Sequence, residues 1–595
     1  MSRVGSAIGL LGKLPTVLRT LRPLRREQAL AQIHHALFGL PEPSRAEGEA
    51  PSLLLDTPKT AFLPPPAHVR ALASPETPAR IQLLETAFDL GDRTDWETDA
   101  HGPLFAYHLH QHEYLRLEMF SPEARAARML DWVKAHPKGR GWDPHPISLR
   151  LLCWGKLMLT PGMLALEDRE RDALLASMAD QAETLAQGLE VRLQANHLLS
   201  NRLSVVWAGM LLDGRTSADW RGQAEGLMAE LAAQVRPDGG HEERSPMYHA
   251  LILENVLDLL NVCRAAPQRA PIGLIDALSE AAARMLAALQ FWTHPDGDIA
   301  LFADSGFDVA AKPAALVDYA TRLEVPVGVP VEVPVAGGHD SLGKPATGAR
   351  GRCLPQTGYV RVEDERWCLL ASVAGPSPAH QPGHAHCDAL SFELSLGAAR
   401  LITDTGLFEY RPGVRRDQAR ATASHATLQL DEQEQAEVWS AHRIGGRPEV
   451  ELLAFADTGF AEAECQGWSQ PETVHRRRFE IAEGEVLIRD CVEGPWNSLR
   501  STLPIAPGWE VSLEGAIARA VWRGEAGGER IPPVEMILTE TLTWRVARGI
   551  YFPTFGVECE RPVLVGEATG EATDDASDGA SIEFETRFRV DPAVS

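Results

Sequence analysis

Apolar residues recur at three- and four-residue steps from about Glu118 to Arg322, then at two-residue steps beyond residue 350, so the chain divides into a helical half and a strand half. Leu274, Ile275, Leu278, Ala282, Met285, Leu289 and Trp292 fall on one face of a single helix. Segments 171–193 and 251–262 carry the same period, and polar breaks such as 236–246 separate them. Helices stacked in this way predict a helical array or toroid. Residues 325–350 hold four prolines and five glycines, which excludes a helix and reads as a linker. Past it, 357–362, 366–372, 390–396 and 585–590 alternate in the manner of strands, long enough together for an antiparallel β-sandwich. The expected layout is an N-terminal helical extension over 1–95, an α/α toroid over 96–323, a linker over 324–350 and a β-sandwich over 351–595, with the acidic run 566–581 as an exposed loop.

Composition narrows the chemistry. Lys and Arg total 57 against 82 Asp and Glu, a net charge of −25 that argues against a nucleic-acid partner and requires any polyanion site to be locally positive. Eight cysteines in 595 residues, with no CxxC pair, suit free thiols in a reducing compartment. The first 40 residues mix basic residues with short apolar runs but lack the pattern of a cleaved signal. No run reaches the ~18 apolar residues of a membrane span, which predicts a soluble protein, cytoplasmic by default, with no membrane partner.

The densest cluster of reactive side chains is 380–394. His384 and His386 form an H-x-H pair, which an extended backbone would point to one face. Asp404 follows 18 residues after His386, and His425 follows 21 after Asp404. Two imidazoles and a carboxylate from neighbouring segments suit a zinc ion with water as fourth ligand; strand capping is the plain alternative. His108, His110 and His112 alternate as well, but a helical context would splay them, so they read as solvated or substrate-facing. In the helical half, Asn196, His197, Asn201 and Arg202 lie together, as do His241, Glu242, Glu243, Tyr248 and His249; helix capping competes with a functional reading for both groups. His145, Arg150 and Trp154 offer a cation and an aromatic ring for an acidic sugar, or ordinary core packing. Arg411, Arg415, Arg416 and Arg420 against Asp417 form a basic island suited to an anionic ligand.

Taken in order, N-H-L-L at 196–199, E-R-S-P-M-Y-H at 243–249, G-H-x-H-x-D at 383–388, D-T-G at 404–406 and S-H-A-T at 424–427 resemble the heparinase II/III-type polysaccharide lyases from about residue 100 onward. The resemblance implies an N-terminal α/α toroid, a C-terminal antiparallel β-sandwich and a cleft between them. It also implies β-elimination on uronic-acid polysaccharides, of glycosaminoglycan or alginate type, leaving 4,5-unsaturated uronate ends. By motif match, Asn196 and His197 would bind the uronate carboxylate, and Tyr248 and His384 would be the catalytic pair. His386, Asp404 and His425 would hold one divalent metal, zinc ahead of manganese or calcium. Tyr410 is a candidate second tyrosine, with Arg202, Arg150, Trp154, Arg415 and Arg416 as candidate substrate contacts. Many members of the group are exported, so a periplasmic or secreted location stands beside the cytoplasmic default.

Other classes share parts of this pattern. A uronyl C5-epimerase would use the same proton abstraction and return the proton to the opposite face. A glycoside hydrolase would need two carboxylates ~5–9.5 Å apart, for which Glu242, Glu243 and Asp388 are available. A polysaccharide-binding protein without catalysis is the fourth reading.

Overall fold

The computed structural model describes residues 14–40, 42–45, 51–72, 79–135, 139–214, 216–328, 348–524, 530–570 and 581–591. Most of the proline-rich linker and of the acidic run near the C-terminus therefore lies outside the described residues.

The toroid is built from helices whose buried faces follow the sequence period. In Leu274–Trp292, the side chains of Leu274, Leu278, Ala282, Met285 and Leu289 are all fully buried. Ala195–Leu211 is buried almost all round, since it packs against Pro144–Leu159, Asp168–Gln187 and Pro246–Ala265 at once. Burying each large aliphatic side chain contributes roughly 1.5–3 kcal/mol, so this core carries the domain. Pro246–Ala265 starts at a designed end: Ser245 is the N-cap, its Oγ accepts the Tyr248 backbone N–H at 3.2 Å, and Pro246 occupies the first turn, where no N–H is needed.

The strand half is a sandwich of antiparallel sheets. One layer is an eight-stranded sheet with Glu449–Ala456 at one edge and Trp509–Glu514 at the other. The facing layer consists of a five-stranded meander from Arg350–Leu354 to Ala399–Ile402 and a four-stranded sheet from Thr543–Tyr551 to Leu428–Leu430. Val474–Ala482 shows why it forms: His475, Arg477, Phe479 and Ile481 point inward at every second residue. Phe392, Leu394, Phe479, Ile488 and Phe588 join the two layers in one core.

The N-terminal extension differs from the expectation. Two helices, Leu14–Leu21 and Arg26–Phe38, are followed by a three-stranded antiparallel sheet, Arg70–Ala71, Arg80–Leu83 and Thr86–Asp89. The helices bridge the two large domains. Arg19 and Thr16 bond Glu437 of the sandwich, Gln28 donates to the His380 carbonyl at 3.1 Å, and Arg25 and Gln32 reach Gln194 and the Arg192 carbonyl of the toroid. Their polar side chains thus face the protein, while Leu14, Leu18, Leu21, Leu30, Ile33, Leu37 and Phe38 are exposed.

Toroid and sandwich meet through buried polar contacts. Arg244 donates to the Ala374 and Gly358 carbonyls and to Ser372, Tyr359 Oη donates to the Arg244 carbonyl, and His294 sits 2.8 Å from both Glu393 and Ser395. This seam fixes the cleft above it. All eight cysteines are free. Among the described residues, no helix is long and apolar enough to cross a membrane.

Candidate functional site

On the toroid wall, the turn before Ala195–Leu211 is left-handed at two non-glycine positions, Gln194 (φ 63°) and Ala195 (φ 48°). Such backbone costs of order 1 kcal/mol or more per residue and persists where its surroundings hold it. Here Gln194 donates to the Val191 carbonyl and accepts from Arg25. The turn presents Asn196 and His197. His197 Nδ1 lies 3.0 Å from Glu190 Oε2, and its ring packs 4.6 Å from that of His145. Although burial opposes the charge, His197 and then His145 hold the Glu190 carboxyl down at about 2. Burial, then His197, lowers His145 to about 3, so its imidazole is neutral near pH 7 and the hydrogen bond from His197 is the main support of the Glu190 charge there.

Tyr248, one turn into its helix, meets Tyr410 from the sandwich at 2.7 Å, hydroxyl to hydroxyl. Its ring stacks on His384 at 4.0 Å between centroids. Burial raises both tyrosines above the usual phenol range and lowers His384 despite its bond to Asp304, so all three are neutral near pH 7. Asn196, His145, Tyr107, Tyr248 and Tyr410 line one cavity of about 150 Å³ that runs into the toroid. Beneath it Glu243 accepts the Asn196 backbone N–H, and burial, then Glu242, raises its carboxyl well above the usual range.

The H-x-H pair lies on a loop before the strand Phe392–Leu396 rather than on the strand itself. Both imidazoles nevertheless converge, on the carboxylate of Asp304: His384 Nδ1 on Oδ2 at 2.8 Å and His386 Nε2 on Oδ1 at 2.7 Å. Sequence reasoning missed Asp304; its only signal is a lone Asp-Ser pair ending the apolar run 299–303. Behind the pair, His386, Asp404 and His425 bring one ligand atom each within 4.8 Å of one another, all buried. His386 Nδ1 and His425 Nε2 are buried without a hydrogen-bond partner.

Several expected contacts lie elsewhere. Arg150 is fully buried, stacked on Trp132 and bonded to Gln181 and to the His110 and Gly141 carbonyls. Trp154 is a core residue whose Nε1 donates to His112 Nδ1. His110 and His112 are buried acceptors of indole N–H groups rather than solvated side chains; only His108 reaches the cavity. Arg202 points to Gln223 and Glu230 and is not among the residues lining the cavity. The basic island dissolves: Arg416 is buried against Asp304, Arg420 bonds backbone carbonyls, and Arg411 and Arg415 pair with Glu409 and Glu558.

Residues 131–321 match the heparinase II/III N-terminus family, and residues 346–563 match the heparinase II/III-like C-terminal family. The chain belongs to the heparinase II/III family. Within it, a crystal structure of heparinase III shares the fold with a TM-score of 0.63 and 15% identity over 84% of this chain and 80% of that one. A mutant of the heparan sulfate lyase HepC from Pedobacter heparinus gives 0.55 and 17% over 88% and 81%. The FtsZ-localized protein C of Caulobacter vibrioides is 25% identical over 462 residues, 74% of this chain and 72% of that protein. Both family matches begin beyond the bridging N-terminal helices.

Proposed function

We propose that this protein is a polysaccharide lyase that cleaves a uronate-containing chain by β-elimination. The observation that carries the reading is the neutral Tyr248–Tyr410 pair packed on a neutral His384, with Asn196 in the same cavity. The C5 proton of a uronate is acidic only if the charge building on its carboxylate is offset. The Asn196 amide and the His197 imidazole supply donors there, a type of contact worth about 3 kcal/mol in the transition state. His384 donates Nδ1–H to Asp304, which leaves the Nε2 lone pair to accept the C5 proton. Tyr248, a neutral phenol, gives its proton to O4 as the C4–O4 bond breaks and the C4=C5 bond forms. The proton gained by His384 then returns to the Tyr248 phenolate, with Tyr410 holding that oxygen at 2.7 Å in the meantime.

His386, Asp404 and His425 would hold one divalent metal. The fit rests on two partnerless buried imidazole nitrogens beside a carboxylate, a donor set that suits zinc. When bound, such an ion supplies a fixed positive charge that ties the His386 loop to the Asp404 and His425 segments.

The test is ultraviolet absorbance with heparan sulfate, chondroitin, hyaluronan and alginate offered separately. A conjugated double bond on the new chain end raises absorbance with the true substrate. New reducing ends without absorbance would overturn the lyase in favour of hydrolysis, and deuterium entering at C5 without cleavage would make it an epimerase. The Caulobacter relative, named for its localisation to FtsZ, supports a second reading in which this chain associates with FtsZ. Binding to purified FtsZ, with no change in any polymer, would favour it.

A further inference from the structure

We propose that Asp304 is a positioning residue that sets the ring tautomers of His384 and His386 together, and so couples the proton-accepting histidine to the metal centre. The inference rests on the roles proposed above for those two histidines. Asp304 lies on the loop between the toroid helices Leu274–Trp292 and Pro313–Arg322, yet its carboxylate is fully buried among groups of the sandwich. Four donors converge on it. Oδ1 receives His386 Nε2 and Arg416 Nη1, and Oδ2 receives His384 Nδ1 and Arg416 Nη2, the last two at 2.8 and 2.9 Å.

A carboxylate with Arg416 fixed on both oxygens can only accept. His384 must therefore carry its hydrogen on Nδ1, which frees Nε2, the nitrogen needed for the C5 proton. His386 must carry its hydrogen on Nε2, which frees Nδ1, the buried atom with no partner. One side chain thereby selects the working nitrogen of both rings. The backbone completes the arrangement: Asp304 N–H donates to the His384 carbonyl at 3.0 Å, and its own carbonyl accepts Ser245 Oγ at 2.7 Å. Ser245 caps the helix that carries Tyr248, so the same loop registers both catalytic groups.

An amide at this position would keep one acceptor oxygen and present an NH₂ to donors that already point at it. At least one ring would have to change tautomer or turn away. The decisive measurement is long-range ¹H–¹⁵N NMR of the histidine-labelled full-length protein near neutral pH, with the two rings assigned from His384→Gln and His386→Gln spectra. Hydrogen on Nδ1 of His384 and on Nε2 of His386 is expected in the wild type; the opposite tautomer on either ring overturns the proposal. In Asp304→Asn, kcat should fall ~10³–10⁴-fold with KM within a few-fold, as when a carboxylate that orients a catalytic histidine is amidated. Zinc affinity should fall ~10–100-fold. Unchanged tautomers and zinc affinity in that variant would reduce Asp304 to a packing residue. The spectra and the zinc titration stand even if no polymer is cleaved, so they separate failure of this proposal from failure of the lyase reading.

Discussion

Two clusters in this molecule each join two imidazoles to one carboxylate and differ in what surrounds them. His145, Glu190 and His197 on the toroid wall, and His386, Asp404 and His425 in the sandwich, each bring two imidazoles and a carboxylate within 4.8 Å. The toroid cluster faces the cleft. His197 keeps 26% of its side chain exposed, and His145 lines the cavity shared with Tyr248. The sandwich cluster is sealed, with side-chain exposures of 0% for His386 and His425 and 2% for Asp404. Solvent reaches His197 in the first set, although Glu190 and His145 Nδ1 are buried. The second would leave two imidazole nitrogens unsatisfied, at a cost of roughly 1–3 kcal/mol each, unless something resident meets them. Exposure, rather than ligand chemistry, distinguishes the two clusters, and it favours the sealed one for the metal proposed above and the open one for substrate.

This distinction makes stoichiometry the sharpest test. His386→Ala and His425→Ala should each abolish binding of the one metal proposed above, lose nearly all turnover and unfold several degrees earlier, since the first breaks the buried His386–Asp304 contact and the second the buried His425–Asp404 contact. Mass spectrometry of the metal content and thermal denaturation check this. A purified wild type holding two equivalents, one of them lost in His197→Ala, would erase the distinction between the clusters.

A smaller effect is expected at the open cluster. His197→Ala should lower kcat/KM by about 10–150-fold, the value of a charge-assisted hydrogen bond, while metal content stays unchanged. Steady-state kinetics beside metal analysis would show it. An unaltered kcat/KM would remove His197 from carboxylate binding.

The sequence shows the sealed cluster better than the contacts that support it. His386, Asp404 and His425 were legible because each sits in a short polar motif between apolar strands, at spacings that bring neighbouring segments together. The helix that carries Tyr248 was legible over 251–262 from its apolar period, whereas its start at Ser245 and Pro246 lay in what read as a polar break. Asp304 was not legible, because its partners lie 80 or more residues away and nothing local marks a lone aspartate on a loop. The same long-range pairing hid the fate of Arg416, which looks in sequence like free positive charge and is neutralised by Asp304. His110, His112, Arg150 and Trp154 misled for the opposite reason. Polar and aromatic side chains in proximity suggest a ligand site, but here imidazole, indole and guanidinium satisfy one another within the core.

The smallest predicted effect concerns Glu190, the carboxylate of the open cluster, and it depends on pH. Its carboxyl sits near 2 in the folded chain against an ordinary value of 4.5, despite a burial that works the other way, because His197 and His145 favour the charged form. A depressed folded value means that the charged form is stabilised by folding. The contribution is therefore fully present above about pH 4.5 and disappears as the pH falls towards 2. The displacement caps it at about 3 kcal/mol, and an amide that still bonds His197 or Asn201 should recover part of that. Glu190→Gln is thus expected to be about 1–2 kcal/mol less stable than wild type at pH 7, with the gap closing below pH 4. Denaturant titrations of both proteins across that range measure it. A gap that stayed constant with pH would mean that Glu190 acts by shape alone, and that the open cluster holds its histidines without the help of charge.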